Sequence, residues 1–128
     1  MIEEKSDLMT YAIDPSLLRV SLERIVLLYD DALEWLHRAS GALTSGDEEG
    51  KSESLSKALA VLMELRAGLD HRVSPELTRN LEDLYTYAIN RIFAANSLND
   101  REAVDQAIKV LEVLRMAWQD IRPKISGT

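Results

Sequence analysis

The residues of this chain best suited to chemistry are two histidines and the acidic residues near them. Glu34 and His37 stand three positions apart, the Glu-x-x-His spacing that puts both groups on one helical face, as in di-iron bundles. A metal site of that kind requires a second copy of the pair. The other histidine, His71, has Gly68 at the matching position, so the ligand set fails. The sequence therefore predicts no metal and no other cofactor.

His37 also begins a partial match to histidine phosphotransfer domains, which are acidic four-helix bundles of this size. Their phosphoaccepting histidine stands in a His-x-x-Lys-Gly pattern. Here Arg38 follows His37 directly and Gly41 stands four positions on, so the basic residue has the wrong offset. Phosphotransfer through His37 is the alternative function, and a phosphoryl label that disappears in His37→Gln would favour it.

The chain lacks the residues and motifs that other chemical functions require. The chain has no cysteine, which excludes disulfides, thiolate metal sites and a cysteine nucleophile. It contains no recognisable serine nucleophile motif and no glycine-rich phosphate loop. A formal net charge of -7 argues against a surface that neutralises nucleic-acid phosphates. We predict that the chain is not an enzyme and does not bind nucleic acid.

The elements that would position any site are helices. Apolar residues recur at helical spacing in four long segments, and short polar stretches separate them. Such short connections let each helix fold back on the previous one. The predicted fold is all-α: an antiparallel up-down-up-down four-helix bundle with an N-terminal segment packed on it. We divide the chain into a covering segment (1–20), the bundle (21–122) and a short tail (123–128).

The predicted helix boundaries rest on capping residues, glycine and proline. Ser, Asp and Asn favour the position before a helix, proline favours its first turn, and glycine or proline favours its end. The four helices are predicted to start at Ser21, Asp47, Ser74-Pro75-Glu76 and Asn99-Asp100. In the same order, they are predicted to end at Thr44 before Ser45-Gly46, at Gly68 in the last turn, at Asn96-Ser97 and at Pro123.

Hydropathy predicts a cytoplasmic location. No stretch reaches the roughly 18 uncharged apolar residues of a membrane span, so we expect no membrane insertion. The segment Met1 to Thr10 lacks the basic and apolar regions of a secretory signal.

The third and fourth predicted helices carry more apolar residues than one core stripe requires. One interpretation is that each helix packs along two faces while the N-terminal segment covers the rest. The other is that the surplus forms a groove for a partner chain. The surplus residues are Tyr85, Tyr87, Ile89 and Phe93 in the third helix and Val110, Val113, Met116 and Ala117 in the fourth.

Several short motifs, in order along the chain, resemble the FliS family of flagellin-export chaperones. The match runs from about Tyr11 to Trp118. The motifs are Leu27-Leu28-Tyr29-Asp30-Asp31-Ala32, Gly46-Asp47 with Lys51, Leu62-Met63-Glu64-Leu65 with Leu69, Leu84-Tyr85-Thr86-Tyr87, Arg91-Ile92 with Ala95-Asn96 and Asn99-Asp100, and Leu114-Arg115 with Trp118.

The resemblance implies a cytoplasmic chaperone that holds the disordered C-terminal region of flagellin, blocks premature polymerisation and passes it to the flagellar type III export apparatus. It also implies that Tyr11 belongs to a movable cover over the cargo groove. With the apolar surplus, this leads us to predict cargo binding across the second to fourth helices. The predicted partner-binding residues are Tyr11, Tyr85, Ile89, Val110 and Val113. We expect a monomer or a weak dimer.

Overall fold

The computed structural model of this protein describes residues 21–126, with side chains as far as residue 120. The predicted covering segment (1–20) and the end of the predicted tail (127–128) lie outside the described residues. Four helices account for nearly all of the described chain, which confirms the all-α four-helix prediction. They are α1 (Leu22–Ser45), α2 (Glu48–Ala67), α3 (Pro75–Leu98) and α4 (Arg101–Ser126).

Each helix begins after a polar residue whose side chain accepts a hydrogen bond from the backbone N–H three positions later. Such a bond satisfies one of the amide groups that a helix start leaves without a partner. The predicted starts are therefore confirmed. The pairs are Ser21 with Arg24 (3.2 Å), Asp47 with Gly50 (3.0 Å), Ser74 with Leu77 (3.4 Å) and Asp100 with Ala103 (3.3 Å).

Two helix ends use the left-handed backbone conformation, and one predicted end is wrong. Gly46 closes α1 with φ 76° and Asn99 closes α3 with φ 51°. In contrast, α4 continues past Pro123 to Ser126. Proline removes one backbone donor, but its fixed φ is itself compatible with a helix, so the last turn can continue.

The four helices enclose one core, and each packs against two others: α1 on α2 and α4, and α3 on α2 and α4. Fully buried aliphatic and aromatic side chains from all four helices meet in it. The largest include Trp118, Tyr29, Tyr85, Ile25, Leu36, Leu62, Leu81 and Leu111. Burying this apolar surface is the main source of stability for such a fold.

Polar contacts between side chains join neighbouring helices. Arg24 of α1 lies 3.4 Å from Glu64 of α2, Lys51 of α2 lies 2.6 Å from Asn99 after α3, and Arg115 of α4 forms an ion pair with Asp30 of α1.

Lys51 is buried although lysine is usually exposed. Its Nζ donates to the backbone oxygen of Asn96 (3.2 Å) and to Oδ1 of Asn99 (2.6 Å), and it pairs with Glu48 (3.0 Å). Since α3 has no basic residue in its own last turn, Lys51 supplies the positive charge that favours a helix C-terminus. It thereby ties the start of α2 to the end of α3.

Within residues 21–126, no helix combines the length and the apolarity needed to cross a membrane.

Candidate partner-binding surface

The predicted partner-binding residues occupy different depths in the structure. Tyr85 and Ile89 lie in the core, where their side chains are almost completely buried. Val110 is half-buried against the core, and Val113 is 48% exposed. Tyr11 lies outside the described residues. Direct contact of a partner with Tyr85 or Ile89 therefore requires a different conformation of the bundle, whereas Val113 is accessible as it stands.

Tyr85 forms a buried pair with Tyr29. The two hydroxyl oxygens lie 2.6 Å apart, and the ring centroids are separated by 6.4 Å with a tilt of 55° between the planes. Burial raises the pKa of both phenols above the ordinary value, so both stay neutral. Tyr85 thus links α3 to α1 inside the bundle. Helical spacing predicted that Tyr85 lies outside the core stripe of α3. Periodicity cannot show that a second helix packs against that side of α3.

On α4, a row of apolar residues lies beside the core stripe. Val110, Val113 and Ala117 follow Gln106 at intervals of four, three and four residues, which places all four side chains on one helical face. Val110 and Ala117 pack partly against the core. Gln106 is half-buried, so the row begins with a polar group and continues as apolar surface.

On α3, a matching row contains Leu84, Tyr87, Arg91 and Ala94, at intervals of three, four and three residues. Leu84 and Ala94 pack partly against the core, and Tyr87 is 43% exposed. The phenol of Tyr87 therefore offers both an apolar ring and a polar hydroxyl at the surface.

A hydrogen bond sets the two rows side by side. Nη1 of Arg91 donates to Oε1 of Gln106 across 3.2 Å, and these residues belong to the α3 row and the α4 row respectively. We call the combined surface the α3–α4 face. Its apolar members are Leu84, Tyr87, Ala94, Val110, Val113 and Ala117.

The α3–α4 face includes two of the predicted contact residues, Val110 and Val113. It adds the apolar residues Leu84, Tyr87, Ala94 and Ala117. The sequence pattern predicted that Tyr87 is one of the apolar residues beyond the core stripe, but Tyr87 was not among the predicted contact residues. Its position in the Leu84-Tyr85-Thr86-Tyr87 motif was the signal that could have identified it as one. Two residues that stand two positions apart on a helix point in different directions, so Tyr85 is buried in the core while Tyr87 is 43% exposed.

The residues first considered for chemistry lie at the surface of α1. His37 is exposed, and the neighbouring Arg38 donates to Glu34 (2.9 Å) while its guanidinium lies 4.9 Å from the ring centroid of Trp35. Glu34 is thus engaged with Arg38. Among the described residues, no group of three or more acidic or histidine side chains is placed to hold a metal ion.

Known proteins with similar sequences point to one family. The family model described as "Flagellar protein FliS" matches residues 20–125. The flagellar secretion chaperone FliS of Salmonella typhimurium is 40% identical over 103 residues, which cover 80% of this chain and 76% of that protein. Its Escherichia coli counterpart is 34% identical over 110 residues, 84% of this chain and 81% of that protein.

A third relative, the flagellar secretion chaperone FliS of Vibrio cholerae, is 32% identical over 114 residues, 88% of this chain and 84% of that protein. These relatives are named as chaperones, and none of the matches supports the phosphotransfer alternative at His37. Since the family model matches residues 20–125 and these relatives are at least 32% identical over at least 80% of the chain, the chain belongs to the FliS family of flagellar proteins.

Proposed function

We propose that this chain is an export chaperone that binds the disordered C-terminal region of flagellin in the cytoplasm, without catalysis. In this role it prevents premature polymerisation and aids delivery to the flagellar type III secretion system. The observation that carries the proposal is the α3–α4 face, an apolar surface outside the core in a member of the FliS family.

The chemistry of the α3–α4 face suits a flexible polypeptide. A disordered segment loses conformational entropy when it binds, so it needs a long apolar surface to offset that loss. The face runs along two helices and combines small and large side chains, Ala117 and Tyr87 among them. An amphipathic segment that becomes helical on binding can place its apolar side chains against such a surface.

The predicted contacts contribute to this proposal in different ways. Val110 and Val113 are the direct contacts that we propose, because both belong to the face. Tyr85 and Ile89 remain predicted contacts that become accessible only if the core opens at α3. Tyr11 remains a predicted part of the movable cover, which the resemblance suggested.

Calorimetric titration tests the proposal directly. The purified chain is titrated with a peptide covering the last ~50 residues of flagellin from the same organism, at several temperatures. Coupled folding and apolar burial should give saturable binding with a large negative heat-capacity change. If the peptide does not bind, the proposed function is wrong.

Two valines with the same exposure provide a matched pair of variants. Val113 on α4 and Val73 in the α2–α3 loop are each 48% exposed, so replacing either with aspartate disturbs the fold to a similar, small degree. Val113→Asp should weaken peptide binding roughly tenfold or more, because it places a charge within an apolar contact. Val73→Asp should bind like the wild type. Equal effects of the two variants would mean that the peptide does not use the α3–α4 face.

A further inference from the structure

Trp118 of α4 brings a polar group into the core without a hydrogen bond. Its side chain is fully buried. Among the side chains that the structure describes, its indole N–H is the only fully buried nitrogen or oxygen group without a hydrogen-bond partner. A donor in this position has lost its hydrogen bond to water and has gained none in return, which lowers stability. The indole N–H therefore gains a partner only when water or another acceptor reaches it.

Trp118 belongs to a buried cluster of three polar groups that has few hydrogen bonds. Burial raises the pKa of Tyr29, and the neighbouring Tyr85 and Trp118 partly oppose this rise, which places the indole beside the two tyrosines. The phenols share one hydrogen bond of 2.6 Å, which uses only one of the three polar hydrogens of the cluster. Water that enters the core here meets donors without acceptors. Opening the core at this cluster therefore costs less than opening it among aliphatic side chains.

An ion pair at the surface holds the same part of α4 against α1. Arg115 stands three positions before Trp118, and its guanidinium pairs with Asp30, the residue after Tyr29. The guanidinium also donates to Gln119 of its own helix (3.2 Å). Both members of the ion pair are partly exposed, so water and salt weaken their attraction. The contacts that hold the end of α4 thus include a buried indole with an unused donor and an ion pair that solvent can reach.

We propose that the last part of α4, residues 115–126, separates from α1 and α3 in a minor population of molecules and so uncovers Tyr85 for the partner. We call this segment the α4 latch. Its role rests on the proposed function, in which Tyr85 is a predicted contact that the closed core conceals. Opening hydrates the indole N–H and the two phenols, which offsets part of the cost of exposing their rings. The backbone carbonyl groups of a bound polypeptide can then accept hydrogen bonds from the same donors.

Native-state hydrogen exchange of the full-length chain, followed by NMR without any flagellin peptide, tests whether the α4 latch opens. The indole N–H of Trp118 is compared with the backbone N–H of Leu36, which lies in the core of α1. The opening equilibrium constant should be roughly tenfold or more larger for Trp118, because Leu36 exchanges only when the whole bundle unfolds. Equal constants would overturn the proposal, since global unfolding alone would then release Trp118.

Two ion pairs that join α1 to another helix provide matched variants. Arg115 pairs with Asp30 between α4 and α1, whereas Arg24 pairs with Glu64 between α1 and α2. Arg115→Gln should raise the opening constant of Trp118 roughly threefold to fivefold, because it removes a contact that keeps the α4 latch closed. Arg24→Gln should leave that constant nearly unchanged. Equal effects of the two variants would mean that the α4 latch does not open separately from the rest of the bundle.

Calorimetric titration of the same variants with the flagellin peptide tests whether the partner binds the open form. When only a minor open population binds, the apparent affinity rises by the same factor as that population. Arg115→Gln should therefore bind the peptide roughly threefold to fivefold more tightly than the wild type, and Arg24→Gln should bind like the wild type. Unchanged or weaker binding by Arg115→Gln would overturn the role of the α4 latch but not the proposed function. A peptide that binds none of the three proteins would refute the proposed function and, with it, this role of the α4 latch.

Discussion

At the scale of single residues, the Tyr29–Tyr85 pair is the most informative polar feature of the core. Both side chains are fully buried, and their hydroxyl groups share a hydrogen bond of 2.6 Å. A buried hydroxyl that loses its partner costs about 1–3 kcal/mol, whereas removing both partners can be nearly neutral. The pair should therefore behave as a unit.

A double-mutant cycle measures that coupling. Tyr29→Phe and Tyr85→Phe should each lower the free energy of unfolding by about 1–3 kcal/mol, since each strands the remaining hydroxyl. The double variant should lose clearly less than the sum of the two single losses. The measurement is urea-induced unfolding followed by circular dichroism.

Tyr87→Phe, on the exposed side of α3, is the control and should change stability by less than about 0.5 kcal/mol. Additive losses in the cycle would contradict a coupled pair.

At the scale of elements, two glycines, one inside α1 and one at its end, allow the effect of backbone conformation on stability to be distinguished from the effect of unfolded-chain flexibility. Gly46 ends the helix with φ 76°, in the left-handed region that other residues avoid, and the space around it is open. Gly41 lies inside the helix, and a methyl group added there would also meet open space. Replacing either glycine with alanine removes the same freedom from the unfolded chain.

The two alanine substitutions should therefore have opposite effects. Gly41→Ala should raise the free energy of unfolding by about 0.5–1 kcal/mol, because alanine favours the helix interior. Gly46→Ala should lower it by about 1 kcal/mol, because alanine is strained at positive φ. Urea unfolding of both variants beside the wild type gives the comparison. If both substitutions stabilise the chain, the left-handed end of α1 does not form in solution.

The elements also show how far the sequence could predict the structure. The starts of all four helices were predictable, because capping residues such as Ser74 act through local hydrogen bonds. The family was predictable from ordered motifs. The end of α4 was not, since Pro123 removes a donor but allows helical geometry. The burial of Tyr85 and Ile89 was also not predictable, because it depends on which neighbouring helices cover that side of α3.

Lys51 illustrates the same limit for a charged residue. Its type predicts exposure, but its position in the first turn of α2 places it beside the end of α3. The partners that permit its burial, Asn96 and Asn99, stand more than forty positions later in the chain. Only the arrangement of helices in the bundle brings them together, so no local pattern could have predicted this contact.

At the scale of the whole molecule, the buried tyrosines connect the core to the pH dependence of stability. Burial raises the pKa of Tyr29 and Tyr85 in the folded chain above the ordinary phenol value of 10.0. In the unfolded chain both phenols are exposed and have the ordinary value. Below that value both phenols are protonated in the folded and unfolded states, and their contribution to stability is fully present. As the pH rises above it, the unfolded chain releases these protons while the folded chain retains them.

Stability should therefore fall in alkaline solution. For each of the two phenols the free energy of unfolding should decrease by about 1.4 kcal/mol per pH unit above the unfolded pKa, until the folded pKa is reached. Urea unfolding at a series of pH values measures this slope, and ultraviolet absorbance of tyrosinate should show that the two buried phenols ionise only as the chain unfolds. The variant carrying both Tyr29→Phe and Tyr85→Phe should lose this part of the slope. If wild type and double variant lose stability with the same slope, the two phenols are accessible to solvent and the core around α1, α3 and α4 is more open than the structure shows.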